Sequence, residues 1–249
     1  MLERCRASIC LVLLVGLVAP SRARAYRPFD GTDADVAGPG ELELELEPLG
    51  FARSDRQRAF VSPAAVANWG FAPGWEAVVE AQQLVVTSGA ERGGRWRVED
   101  VALSVKHVLR DGSLGDRTGP NVAVELGALL PEVHGEAAAG GQASLVLSQA
   151  WSDATVHLNL AGAWTRAHVP AASGSVIVEG PSRWLVRPVA EVELQAERGA
   201  RPGRALLVGA IWRVSPTLAL DGALRGAAMG DVGAIEVRAG LTWTFAVTR

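Results

Sequence analysis

The chain has 249 residues, with 24 basic and 27 acidic side chains, and 49% of its residues are hydrophobic. Four arginines and one glutamate fall within the first 25 residues, so the remainder carries a net charge near −6, which argues against binding to nucleic acid or another polyanion. Both cysteines, Cys5 and Cys10, also lie in those 25 residues, which excludes a disulfide or a thiolate metal site from the rest of the chain.

The first 25 residues have the pattern of a secretory signal peptide. Arg4 and Arg6 precede an apolar run over 9–18, and the sequence ARA at 23–25 is a small-x-small cleavage site. The apolar run is short for a transmembrane helix, although a retained anchor helix is the alternative. We expect cleavage before Tyr26, an irregular periplasmic lead-in over 26–39 and a single barrel domain over 40–249.

Glutamate and leucine alternate strictly from Glu41 to Glu47, in the stretch GELELELEPLGF. Side chains of a β-strand point to opposite faces in turn, so the glutamates share one face and the leucines share the other. On a helix the same residues would scatter around the axis without forming an apolar stripe. The pattern predicts a strand that is hydrophobic on one side and acidic on the other.

Segments of about ten residues recur after the lead-in and are separated by turn signals, and none shows helical periodicity. The sequence therefore predicts an all-β fold of about 12 strands. The predicted strands are 40–52, 58–69, 75–86, 97–109, 121–130, 142–151, 155–166, 175–180, 185–196, 204–214, 217–226 and 234–247. Segment 175–180 is short, and without it and its partner the number of strands falls to ten.

The predicted connections alternate in length along the chain. FAPG, SDA, PSR and SPT are tight, whereas TSGAERGGR, PEVHGEAAAGG, AHVPAASGS, AERGARPG and AAMGDVG are longer, and RDGSLGDRTGP departs from the alternation. Short turns at one end and longer loops at the other are typical of antiparallel up-and-down barrels in outer membranes. The pattern predicts short periplasmic turns and longer extracellular loops on such a barrel.

The last predicted strand, AIEVRAGLTWTFAVT, alternates for about thirteen residues, close to the length of a tilted membrane span. Its apolar face is aliphatic and aromatic, and its other face is polar. A secreted sandwich or soluble barrel is the alternative, because such folds also alternate. The tryptophans favour the membrane barrel, since several fall near predicted strand ends, where an interfacial belt lies. They are Trp69, Trp75, Trp151, Trp184 and Trp212, and Trp164 and Trp243 fit less clearly.

Closure of such a barrel pairs its first and last strands, because an open edge is unstable in hydrocarbon. We therefore expect Glu43 and Glu45 to lie within reach of Arg238 across the closing seam. The polar faces predict a lumen lined by charged and polar side chains, either as structural pairs or along a weakly conducting path. The candidates are Glu41, Glu43, Glu45, Asp100, Lys106, His157, Asn159, Glu191, Glu193, Arg213, Asp221, Arg225, Glu236 and Arg238.

The start RPFDGTDADVAGPGELELELE resembles the opening of a family of Gram-negative outer-membrane barrels grouped as "MetA-pathway of phenol degradation" transporter-like proteins. The resemblance continues in order through NWGFAPGWEA, VEDVALSVKHVL, GPNVAVELGALLP, VHLNLAGAW, VAEVELQAE, LALDGALRG and GLTWTF, and it covers nearly all of the chain after the leader. It implies an outer-membrane channel or transporter for small hydrophobic or aromatic molecules, and it supplies no catalytic residues. Such barrels usually end on an aromatic residue, whereas here Phe245 is followed by AVTR.

The sequence leaves two main functional classes and one distant third. A passive channel for small molecules comes first, and a structural or adhesive barrel with a plugged interior is the alternative. A lipid acyl-chain enzyme comes third, because Ser148, His157 and Asn159 could form a catalytic set, although ordinary hydrogen bonding in the lumen is the favoured explanation of these residues. We expect no catalytic residues, no cofactor and no metal. The expected partners are outer-membrane lipids, the barrel-assembly machinery and a small hydrophobic solute, but not nucleic acid.

Overall fold

The structure of the chain is a computed structural model, and it describes residues 27–55, 57–89, 95–133 and 136–247. The predicted signal peptide and its cleavage site lie outside the described residues. Within them the fold is all-β, with a single turn of 3-10 helix at Ser113–Gly115. The described part of the chain contains no helix that is long and apolar enough to cross a membrane, a finding that concerns helices alone.

Thirteen antiparallel strands form one sheet, in which each strand from β3 to β12 pairs with the next along the chain. Alternating side chains and regularly spaced turns produce this meander. The strands are β1 Glu41–Glu47, β2 Gly50–Ser54, β3 Arg58–Ala72, β4 Trp75–Ser88, β5 Trp96–Arg110, β6 Asn121–Leu129, β7 Gly140–Ala150, β8 Thr155–Trp164, β9 Pro170–Glu179, β10 Val186–Glu197, β11 Gly203–Arg213, β12 Leu218–Met229 and β13 Val232–Ala246.

The sheet closes into a barrel because β1 and β2 each pair with both β3 and β13. These two short strands occupy one position around the barrel, so the first predicted strand is present but interrupted at Pro48 and Leu49. Proline has no backbone N–H to donate to a neighbouring strand, which accounts for a break there. The predicted barrel of 12 strands is confirmed, and the alternative of ten is wrong because 175–180 belongs to the full strand β9.

The connections segregate by length less cleanly than predicted. Five connections, at 73–74, 111–120, 151–154, 180–185 and 214–217, lie at the end of the barrel that we call the short-turn end. The opposite end, the long-loop end, carries connections such as 130–139 and 198–202. The segment AAMGDVG, predicted as a longer loop, is mostly strand and turns at Gly230 and Asp231, where Gly230 adopts a positive φ of 58°. Which end faces the periplasm stays a prediction.

The outer surface of the barrel is apolar, as the alternation predicted. Leu126, Leu194 and Leu206 are each more than half exposed, in a fold whose polar side chains point inward. The described tryptophans lie near strand ends. Trp69, Trp75, Trp151, Trp184, Trp212 and Trp243 are near the short-turn end, whereas Trp96 and Trp164 are at the long-loop end. This arrangement of an aliphatic band between aromatic rims is that of a transmembrane barrel.

The lead-in lies inside the barrel, which corrects the expectation that it stays in the periplasm. Two small apolar clusters in the interior each contain one of its residues: Phe29 packs against Val189, Ile211 and Ala219, and Ala34 packs against Ala123 and Val146. The lead-in lies there because its backbone has no strand partners of its own, and its N–H groups bond acceptors on the polar inner wall. We refer to residues 27–39 as the lumen segment.

Candidate functional site

The inner wall holds the backbone of the lumen segment through side-chain acceptors on five strands. Glu191 on β10 accepts from the amides of Asp30 and Gly31 at 2.7 and 2.9 Å. Asn159 on β8 bonds both the N–H and the C=O of Thr32, and Ser148 on β7 accepts from the amide of Ala34. Further along the segment, Glu76 on β4 accepts from the amide of Ala37, and Glu41 on β1 accepts from the amide of Gly38. The wall residues therefore supply the pairing that a neighbouring strand would give.

Two glycines permit this close approach. A Cβ built on Gly31 would meet the Oγ of Ser175 at 2.7 Å and side-chain atoms of Asn159 and Glu191 at 3.0 Å. A Cβ on Gly70 of β3 would meet the carbonyl oxygens of Ala37 and Gly38 at 2.2 Å. Larger residues at either position would push the segment away from the wall.

Ion pairs fix the first part of the lumen segment. Asp30 contacts Arg225 on β12 at 2.5 Å and Arg238 on β13 at 2.8 Å. Burial raises the pKa of Asp30, but the two arginines outweigh burial and hold that pKa below its ordinary value. Arg27 contacts Glu47 at 2.5 Å and Asp221 at 3.5 Å. The segment is therefore bound to the wall by charges of both signs.

Lys106 is buried in the centre of the barrel, where its side chain is 2% exposed. Its Nζ donates to the Oγ1 of Thr32 at 3.2 Å and lies 3.8 Å from the carboxylate of Asp33. An unpaired ammonium would be costly in this position, so these contacts also anchor the middle of the segment.

A chain of polar contacts connects the segment to β8, β9 and β10. The Oγ of Ser148 lies 2.7 Å from the Nδ1 of His157, whose Nε2 lies 3.1 Å from Glu179, and Glu179 contacts Arg187 at 2.9 Å. The structure thus brings Ser148 and His157 together, but Glu179 rather than Asn159 is the third member. Ser148 is 1% exposed and accepts the Ala34 amide, so the serine is committed to holding the segment.

The closing seam pairs β1 with β13, as predicted, but in a register that separates the glutamates from Arg238. Glu43 lies opposite Thr244 and accepts its hydroxyl proton at 2.8 Å, and Glu45 accepts from Asn68 at 2.8 Å. Arg238 lies further along β13 and contacts Asp30 and Glu236 instead. The predicted contact between Arg238 and these glutamates is therefore wrong, because β1 ends before it reaches the level of Arg238.

The other candidates lie around this centre. Glu193 and Glu236 contact Arg225 at 3.3 and 3.2 Å, which joins them to the Asp30 cluster. Asp100 lies toward the long-loop end, where it accepts from Gln82 and its side chain is largely exposed. Arg213 ends β11 at the short-turn end and donates to the carbonyl of Ser182 at 3.2 Å. The candidates therefore do not form one site: most lie in a central cluster, and Asp100 and Arg213 lie toward the two ends of the barrel.

Several wall and segment residues were not among the site candidates from the sequence, namely Arg27, Asp30, Asp33, Glu47, Glu76, Ser175, Glu179 and Arg187. Glu76 and Glu179 stand at or beside predicted strand ends, and their inward direction follows from the alternation. The positions of the charged residues in the lumen segment could not be predicted from the sequence, because an irregular stretch rich in Asp and Gly has no periodicity.

Among the described residues, three cavities of about 480, 320 and 380 Å³ lie along the interior. The first, near the long-loop end, is lined by residues that include Arg97, Glu99 and Arg238. The second, the middle cavity, is lined by Thr32, Glu80 and Lys106 among others, and the third, at the short-turn end, by Asp33, His157 and Arg213 among others. Thr32 and Asp33 face different cavities, so the lumen segment lies between the second and the third. In the described part of the chain no group of three or more His, Cys, Asp or Glu residues is arranged to hold a metal ion.

Comparison with known proteins identifies the fold. No protein-family model matches the sequence, and no curated protein matches it. The solved NanC porin is similar with a TM-score of 0.60 at 10% identity, over 80% of this chain and 98% of that chain. An outer membrane channel from Pseudomonas putida F1 gives 0.60 at 9% identity, over 87% and 100%, and the KdgM porin in complex with disordered oligogalacturonate gives 0.55 at 10%, over 82% and 99%.

The class of protein follows from the closed barrel and its outer surface. A meander of membrane-spanning strands with an aliphatic outer band and a polar interior is an outer-membrane β-barrel. The chain has the fold of porin-like outer-membrane channels, whereas its place in the phenol-degradation transporter-like family stays a prediction.

Proposed function

We propose that this chain is a passive outer-membrane channel for small polar solutes, narrowed by its own lumen segment. The observation that supports this most is the row of three cavities along a charged interior, each of which is lined in part by residues of the lumen segment. Solutes would cross when the segment shifts away from the wall. Each hydrogen bond of the segment is weak in net terms, which suits reversible movement.

The charge of the interior favours cations over anions. The buried charged side chains of the described barrel are eight carboxylates and one lysine, and partly buried arginines compensate for some of them. A water-filled path with this excess of carboxylates attracts cations and repels anions. The hydrophobic or aromatic solute implied by the family resemblance is less well supported, since several charged side chains line each cavity beside the apolar ones.

Recording from planar bilayers tests this proposal. We expect small single-channel currents and, in a salt gradient, a reversal potential of the sign that cations produce. Glu80 lines the middle cavity, so Glu80→Gln should reduce the cation preference. The control Asp153→Asn alters an exposed carboxylate at the short-turn rim and should leave the preference unchanged. A folded protein whose reversal potential has the sign that anions produce would contradict the proposal.

A plugged structural barrel is the second candidate, and the anchoring of the lumen segment favours it. Bonds from the wall hold the segment at Asp30, Gly31, Thr32, Ala34, Ala37 and Gly38. If the lumen segment stays bound to the wall at all times, the folded barrel should carry no current and admit no solute into liposomes. That result would select the structural role over the channel.

A further inference from the structure

A groove of about 840 Å³ lies on the outer surface of the barrel toward the long-loop end. Its walls are Leu194 and Leu206 on one side and Ile235 on the other, and these side chains are each more than half exposed. The groove is therefore a local depression in the lipid-facing surface.

Strand register explains the depression. Leu206 on β11, Gly226 on β12 and Ile235 on β13 are direct neighbours across three strands. A residue without a side chain thus stands between two long ones, and Ala228 and Gly233 extend the same low floor toward the rim. A Cβ built on Gly226 would meet no atom within 4 Å, so the slot is open.

The rim of the groove is basic. Arg204 lies opposite Leu194 and Ala228, and Arg53 lies opposite Ile235 with Arg58 beside it on β3. Asp55 also lines the groove, but it accepts a hydrogen bond from the amide of Gly233. Among the residues for which side chains are described, Arg53, Arg58 and Arg204 form no ion pair with a carboxylate. Three guanidinium groups therefore face the boundary between lipid and water.

These arginines stand where other strands carry aromatic residues. At the long-loop end Trp164 is the last residue of β8 and Trp96 the first of β5, and both are exposed. Arg204 is the second residue of β11, at a comparable depth, and β10 to β13 place no tryptophan at this end. Guanidinium groups therefore lie at the polar boundary of the membrane, directly above the apolar slot.

We propose that this groove binds an anionic lipid of the outer membrane, with an acyl chain in the slot and the phosphate held by Arg53 and Arg204. Guanidinium groups bind phosphate through paired, charge-assisted hydrogen bonds, which suits this rim. Basic residues beside an apolar surface at the membrane boundary attract anionic lipids in preference to zwitterionic ones. The chemistry of the groove matches both parts of such a lipid.

Native mass spectrometry of the full folded barrel tests the proposal with two lipids of identical chains, phosphatidylglycerol and phosphatidylcholine. We expect phosphatidylglycerol to remain bound at collision energies that remove phosphatidylcholine. The double substitution Arg53→Gln with Arg204→Gln should abolish this preference. Its control, Arg183→Gln, removes an exposed arginine at the opposite end and should keep the preference.

A second variant tests the slot itself. Gly226→Leu should fill the groove and reduce retention of both lipids without disturbing the wall. Gly162→Leu is the matched control, since Gly162 is also exposed and a Cβ there also meets nothing within 4 Å. Equal retention of the two lipids by the wild-type barrel would overturn the proposal. So would a wild-type dimer that Gly226→Leu dissociates, because the occupant would then be a second copy of the chain.

Discussion

The carboxylate of Asp30 lies 2.8 Å from the guanidinium of Arg238, and this contact joins the start of the described chain to its last strand. Arg225 on the neighbouring strand approaches the same carboxylate at 2.5 Å. The lumen segment is thus bound to the wall at the place where the barrel closes, and its seating depends on closure of the sheet.

Asp30→Asn should loosen the lumen segment while the barrel stays closed. The substitution removes a negative charge from between two arginines and costs about 1.5–3 kcal/mol, the range for hydrogen bonds to charged groups. We expect a larger mean conductance and more frequent fluctuations in bilayers. The control Asp153→Asn, at an exposed rim position, should conduct as the wild type does. Identical currents from Asp30→Asn would show that this ion pair does not restrain the segment.

The same contact predicts a dependence on pH. Because the pKa of Asp30 in the folded barrel is lower than its ordinary value near 3.9, its charge stabilises the seated segment at pH values above that ordinary value. This stabilisation is lost as the pH falls from there through the lowered pKa. The groups that face Asp30 are Arg225, Arg238, Glu191 and Glu193. Conductance of the wild type should therefore rise in that acidic range, and the rise should be smaller in Asp30→Asn.

Gly31→Ala should displace the segment through sterics alone. The added Cβ would meet Ser175, Asn159 and Glu191, so the two hydrogen bonds to Glu191 would lengthen. Hydrogen exchange at the amides of Asp30 and Gly31 should accelerate, and conductance should rise. Gly222→Ala is the comparison, since a Cβ there meets its nearest atom only at 3.8 Å. If both substitutions leave exchange unchanged, the segment does not press against the wall at Gly31.

Adjacent residues of β7 should differ sharply in their tolerance of charge. Leu145 faces lipid, whereas Ser144 lines the middle cavity. An arginine on the lipid face near the midplane costs about 2–4 kcal/mol, so Leu145→Arg should lower the folded fraction on a heat-modifiability gel. Ser144→Arg places the same charge beside carboxylates and should fold nearly as the wild type does. Equal folded fractions would contradict the assigned faces of the barrel.

The sequence predicted the wall of the barrel well because strand periodicity and turn residues are local signals. The alternation over Glu41–Glu47 identified the inner and outer faces of β1, and the position of Lys106 on the polar face of β5 agrees with its burial. The break at Pro48 was also readable in retrospect, since proline interrupts strand pairing. The full length of β9 is not evident from the sequence, because Gly174 and the small residues before it obscure the alternation of that strand.

The interior was harder to predict because its contacts join residues far apart in the sequence. The pairing of Arg238 with Asp30 rather than Glu43 depends on how far β1 extends along β13, and alternation alone does not give that register. Likewise, His157 meets Glu179 only because β8 and β9 pair in one particular register. The position of the lumen segment depends on satisfying its backbone amides, which leaves no periodic signal in the sequence.

A disulfide between the lumen segment and the wall tests the central claim most directly. Ala34 packs against Ala123 of β6, and the chain after residue 25 has no cysteine, so Ala34→Cys with Ala123→Cys offers one defined cross-link. We predict that the oxidised double variant forms this bond and carries little current, and that a reductant restores the wild-type conductance. Each single variant should be insensitive to the reductant. Failure of the bond to form in the folded barrel, or equal currents before and after reduction, would contradict the claim that the lumen segment occupies the channel and sets its conductance.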